Sequence, residues 1–143
     1  MKPIISVLLL CAALSVPLSS VAACVLPVPD GDEVPPSPAN LFGEIERVQL
    51  PYVVIRNGRT GARQTVSLKG AAAVYTVYGG DGPVSGLKRG LQVWVWYRHC
   101  ARPARGIPHA AYFQVFSLDP GDRATLDREG RIIAVPSLPS TPQ

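Results

Sequence analysis

Leu87-Lys88-Arg89-Gly90-Leu91-Gln92-Val93-Trp94-Val95-Trp96-Tyr97-Arg98 is the stretch whose pattern decides the fold class. After Gly90 the side chains alternate with period two. Leu91, Val93, Val95 and Tyr97 share one face; Gln92, Trp94, Trp96 and Arg98 share the other. β-branched and aromatic residues at that period favour a pleated strand over a helix. Working outward, a loop over 99–108 leads to a second strand over 109–118, which Asp119-Pro120-Gly121 ends. Upstream, 41–50 carries Phe42, Ile45, Val48 and Leu50 around Gly43, and 52–56 is β-branched and aromatic. Asn57-Gly58 follows as a hairpin signal, with 62–68 as the return strand. Residues 71–78 predict a turn leading into a short strand, stopped by Gly79-Gly80-Asp81-Gly82-Pro83. Residues 123–135 add a hairpin around 127–130, with Ile132, Ile133 and Val135 on its return arm. Short strands without a long amphipathic helix predict an all-β chain, a small five-stranded barrel over 41–118.

The flanks differ from this centre. Residues 1–23 combine Lys2, an apolar run over 4–16 and Val21-Ala22-Ala23, the pattern of a secretory signal peptide. The run is shorter than the ~20 residues that span a bilayer and ends at Pro17. Residues 24–40 hold Pro27, Pro29, Pro35, Pro36 and Pro38 with Asp30, Asp32 and Glu33, and read as a Pro-rich acidic spacer or a segment wrapped on the domain. Residues 119–143 form a C-terminal extension whose end, with Pro136, Pro139 and Pro142, reads as a disordered tail. Charge divides the same way. Residues 40–118 hold 10 basic and 3 acidic groups, a surplus of +7, whereas 24–39 carry −3 and 119–143 carry −1.

Cys24 admits two readings. Val21-Ala22-Ala23-Cys24 matches a bacterial lipobox permissively, which makes Cys24 a lipidation site. An exported chain that retains Cys24 and Cys100 is also a candidate for one disulfide. A bridge closing so long a loop would contribute about 4 kcal/mol in the chain-entropy model.

Several strand-forming segments resemble a known family. Gly43-Glu44-Ile45-Glu46-Arg47-Val48 looks like the first strand of an OB-like domain found in exported bacterial proteins. Val66-Ser67-Leu68 extends the likeness, and Leu87-Lys88-Arg89-Gly90-Leu91-Gln92-Val93-Trp94-Val95 resembles that family's Leu-Lys-x-Gly-x-x-Val-x-Val entry into its fourth strand. Ala110-Ala111-Tyr112-Phe113-Gln114-Val115 resembles its closing strand. The resemblance covers 41–118 and implies an OB-like barrel and export to the bacterial periplasm. The family has no established common activity, so it carries over no catalytic residue. The chain departs from it in the tryptophan pair and in the long cationic loop between strands four and five.

Chemistry-bearing residues are few. His99 and His109 are the neutral-range bases, and Cys100 is the strong nucleophile. His99 and Cys100 are sequence neighbours and would point to opposite faces of a strand. No Gly-x-Ser-x-Gly, Gly-x-Gly-x-x-Gly or Walker pattern is present. Glu44 and Glu46 share a strand face and read as solvated side chains. The expectation is a protein without enzymatic activity, cofactor or metal, although His99, Cys100 and His109 frame one loop and offer a soft ligand set.

A binding surface is the better expectation. With Val93, Val95 and Tyr97 inside the barrel, Trp94, Trp96 and Arg98 face outward beside Tyr112 and Phe116, near Arg102 and Arg105. The competing expectation is that residues 123–135 cover these aromatics through Ile132, Ile133 and Val135. The leading function is an exported cell-envelope binding or assembly module that uses the outer face of strands four and five, with an envelope protein or complex as partner. The alternatives are an anionic polymer (peptidoglycan, lipopolysaccharide or single-stranded nucleic acid, the last disfavoured by a periplasmic location) and inhibition of a toxin or envelope enzyme. Membrane contact is expected only through a lipid on Cys24.

Overall fold

A computed structural model describes residues 23–28, 34–71 and 73–136. Residues 1–22 of the predicted signal segment, 29–33 of the expected acidic spacer and 137–143 of the tail lie outside these residues. Among the described residues nine strands follow one another: β1 (Leu41–Gln49), β2 (Tyr52–Asn57), β3 (Arg63–Ser67), β4 (Val74–Thr76), β5 (Asp81–Gly82), β6 (Gln92–Tyr97), β7 (Ala110–Val115), β8 (Thr125–Leu126) and β9 (Ile132–Ala134). Two short 3-10 turns, Val84–Gly86 and Arg98–Cys100, complete the elements. The chain is all-β, as its alternation predicts.

Seven strands form one mixed sheet in the order β3-β2-β1-β6-β7-β4-β5, and β8 and β9 form a separate pair. β4 runs parallel to β7, and the other ladders of the large sheet are antiparallel. The expected count of five is therefore corrected, because Tyr75 and Thr76 pair outside β7 and recruit β5 behind them. The sheet does not close into a barrel. β3 ends at Ser67, and one isolated parallel bridge, Ser67 with His109, spans the gap to the start of β7. There the Ser67 N–H donates to the Pro108 carbonyl at 2.9 Å.

The hairpin signal at Asn57-Gly58 opens a longer loop than a two-residue turn. The Asn57 side-chain oxygen accepts from the backbone N–H of Arg59 and Thr60 at 2.8 and 3.1 Å, and Gly61 takes a φ of 72° before β3 begins. In β1 the pairing with β2 slips between Ile45 and Arg47, which leaves Glu46 bulged. Its carboxylate accepts from Arg63 Nε at 2.6 Å and also from Arg56. The Arg63 hydrogen bond is the main reason that Glu46 titrates below the usual carboxylate range. A lowered native value gives stability that is complete above the ordinary glutamate range and is lost as pH falls through the native one. A Glu46→Gln chain should therefore show a shallower loss of stability between about pH 5 and 3 than the parent, read from urea midpoints. Superimposable pH curves would show that the pairs contribute nothing.

Both faces of β6 are buried, all six residues of it. On the inner face Val93, Val95 and Tyr97 join Leu41, Ile45, Val53, Ile55, Val66, Phe113 and Val115 in the main core. On the outer face Trp94 and Trp96 join Phe42, Phe116 and Ala124 in a second cluster. Two segments cover it. The C-terminal extension is pinned by buried Gln92, whose side chain exchanges two hydrogen bonds with the Ala124 backbone, at 2.7 and 3.0 Å. Beyond it, the Trp94 indole N–H donates to the Gly130 carbonyl at 2.7 Å. The N-terminal segment supplies Leu26 and Ala39 to the cluster, and the Trp96 indole N–H donates to the Ser37 carbonyl at 2.7 Å. The described part of the expected spacer is thus a strap lying on the domain. Its Val25 and Ser37 clasp one another through two hydrogen bonds.

Candidate functional site

The expected docking surface is not open. Trp94 and Trp96 are each 6% exposed and Phe116 1%. Tyr112 is half-buried, stacked on Tyr75 at 4.6 Å and edge-on to Trp96 at 5.6 Å. Burial pushes its phenol above the ordinary range, with Tyr75 adding to the rise. The outward-face expectation is corrected for a physical reason: two large indoles side by side are too apolar to leave wet, and each has its N–H satisfied by a covering backbone carbonyl. The cover does come from residues 123–135, but not through the side chains expected. Ile132, Ile133 and Val135 are exposed by 39%, 64% and 53%; Ala124, Leu126 and Gly130 do the covering. Period-two alternation places Ile132 and Ile133 on opposite sides of β9, so both cannot have faced the tryptophans.

The arginines remain accessible. Arg98, Arg102 and Arg105 are all exposed. Arg98 and Arg102 line an open cavity of about 890 Å³ where the 98–109 loop meets the end of β3. Lys69, His99 and His109 line it too, with Leu26, Tyr97 and Ala110 as apolar wall. Arg105 is not among the lining residues. Lys69 had no signal of its own in the sequence. It enters because the Ser67–His109 bridge brings the end of β3 beside the loop that follows β6.

The lining carries three permanent cations and two imidazoles, and no carboxylate among the described residues. Nor does any described carboxylate form an ion pair with Lys69, Arg98 or Arg102. No family model, curated protein or solved structure matches this chain.

Beneath the cavity Tyr97 is 2% exposed, and its hydroxyl has no partner among the described residues. Burial pushes that phenol up, and the nearby Arg102 guanidinium opposes the rise. The tyrosine therefore stays protonated at neutral pH.

The loop's path is set by Cys100. Its sulfur is bonded to that of Cys24, with the two Cα atoms 5.4 Å apart. Of the two readings of Cys24, the structure holds the bridge, and a sulfur so bonded cannot also form the thioether of a lipid anchor. The bridge likewise removes Cys100 from the ligand set considered with His99 and His109. No group of three metal-ligating side chains occurs among the described residues. Asn40 fixes the same turn from below. Its amide donates to the Cys100 carbonyl at 2.7 Å, and its oxygen accepts from the Tyr97 N–H at 2.8 Å.

Proposed function

We propose that this chain is a non-enzymatic, exported binding domain that holds an anionic polymer of the cell envelope in the cavity formed by Lys69, Arg98, His99, Arg102 and His109. The observation that carries the reading is the charge of that cavity: five basic side chains line it without a carboxylate among the described residues. Exposed guanidinium and ammonium groups around an apolar floor suit phosphate, sulfate or carboxylate groups on an extended ligand. The order β3-β2-β1-β6-β7, with the parallel bridge from Ser67 to His109 just before β7, supports an open OB-like arrangement within the larger sheet. On that reading the cavity lies at the loop between the fourth and fifth barrel strands, a place where OB-folds bind ligands. A signal-like leader and a disulfide support export.

The test is titration with dextran sulfate and with lipopolysaccharide at low and moderate salt. Binding should weaken steeply with salt, as expected when cations release counterions from a polyanion. Removing three cations in Lys69→Ala/Arg98→Ala/Arg102→Ala, at about 1 kcal/mol each, should lower affinity by roughly 100-fold and flatten the salt dependence. Binding that ignores both salt and the triple substitution would instead indicate an apolar protein interface, and the polyanion reading would fall.

A further inference from the structure

We propose that the Cys24–Cys100 disulfide switches the anion cavity between an assembled state and a dismantled one, an inference that rests on the cationic cavity being the binding site. The bridge holds two walls of the cavity together. Leu26, two residues beyond Cys24, forms one wall; His99 and Ala101, on either side of Cys100, belong to the other. Without the sulfur bond, nothing covalent joins these walls except the chain from Cys24 to Cys100, a sequence separation of 76.

The backbone on the Cys100 side is held out of its preferred conformation. His99 and Cys100 have φ of 60° and 50°, two successive non-glycine residues in the left-handed region. Such a conformation is disfavoured for a residue with a Cβ and persists only where its surroundings over-determine it. Here those surroundings are the bridge to Cys24 and the Asn40 bond to the Cys100 carbonyl. Breaking the bridge removes the covalent half of that restraint, so 98–102 can relax and carry Arg98, His99 and Arg102 apart.

On the strap side, few bonds remain once the sulfur is released. Val25 and Ser37 hold each other, Leu26 and Ala39 pack on the outer cluster, Ser37 accepts from Trp96, and at the strap's far end Asn40 bonds Val95, Tyr97 and Cys100. By contrast, the main core contains no strap residue. The large sheet therefore keeps its contacts while the strap lifts.

The bridge is reachable, since Cys24 is exposed and Cys100 is half-buried. A dithiol reductant would open it by exchange. One dithiol thiolate attacks a bridge sulfur to give a mixed disulfide, and the second thiol resolves it. Two electrons and two protons pass to the protein. It ends with two thiols, and the reductant ends as a disulfide.

The deciding experiment uses the full chain with Cys11→Ser, so that only this pair reacts. Dextran sulfate affinity is measured for the oxidised protein, for the dithiothreitol-reduced protein, and for a Cys24→Ser/Cys100→Ser chain under both conditions. Trp fluorescence and far-UV dichroism are recorded in parallel. The expected result is at least a tenfold loss of affinity on reduction, restored on reoxidation, and a double variant with the weaker affinity whatever the reductant. Indole emission should shift to the red as Ser37 leaves Trp96, with the strand signal unchanged. Equal affinity in the two redox states overturns the switch and leaves the cavity reading standing. Loss of the strand signal together with affinity also overturns it, because the bridge would then be needed for folding. An oxidised protein that does not hold dextran sulfate overturns the cavity as a polyanion site, and the switch with it.

Discussion

Trp96→Ala should cost about 3–5 kcal/mol of folding stability, and Trp94→Ala a similar amount. Each substitution removes a nearly fully buried indole and leaves a void in the outer cluster. Each also strips the partner from a covering carbonyl, Ser37 for Trp96 and Gly130 for Trp94. The two losses differ in where they propagate. Trp96→Ala loosens the N-terminal strap, and Trp94→Ala loosens the β8–β9 extension, so proteolysis should nick different ends of the two variants first. Urea midpoints give the magnitude. A change below about 1 kcal/mol in either variant, accompanied by loss of a partner protein, would restore the outer face of β6 and β7 as a docking surface.

Gly43→Ala should destabilise the domain by roughly 3 kcal/mol or more. Gly43 sits in β1 between Asn57 of β2 and Val93 of β6, so it is hemmed in on both edges. A methyl there would run into the Arg56 carbonyl group and lie 3.1 Å from the Gly58 nitrogen. Both obstacles are backbone, and no rotamer change relieves them. The nearest escape is to part β1 from β2, which threatens the 2.8 Å bond from the Gly58 N–H to the Phe42 carbonyl. Gly86→Ala is the matched control, because a methyl there meets nothing within 4 Å. It should stay within about 0.5 kcal/mol of the parent. Equal effects at the two positions would mean that β1 and β2 separate at little cost.

Strand alternation makes much of this fold legible in the sequence. The periodicity of 91–98 and the β-branched runs at 41–50, 52–56 and 62–68 coincide with β6, β1, β2 and β3 to within a residue or two. Alternation states which side chains share a face; it does not state what lies on that face. Alternation groups Trp94, Trp96 and Phe116, yet their cover comes from residues with weak hydrophobic signals. Gly130 contributes a carbonyl, Ala124 both of its backbone hydrogen-bonding groups to Gln92, and Ser37 a carbonyl. Backbone groups leave no mark in composition. Similarly, β4 and β5 have 3 and 2 residues, too short for a period to register, and their place beside β7 depends on a parallel pairing. At the cavity, Arg98 and Arg102 were legible as a cationic loop. Lys69 was not, because its proximity arises from the single bridge between Ser67 and His109.

The coverage of the tryptophans from both ends of the domain also imposes an order of events. The bond from Trp94 to Gly130 closes across 36 residues and that from Trp96 to Ser37 across 59, while the sulfur link spans 76. Such distant closures make folding slow compared with local hairpin formation. A chain delivered N-terminus first can pair β1 with β2 and then add β6, yet Trp94 stays wet until residue 130 arrives. During that interval Phe42, Trp94 and Phe116 offer a sticky surface to chaperones or to other nascent copies. A nascent chain halted before Ala124 should therefore aggregate although every strand of the large sheet has already been made.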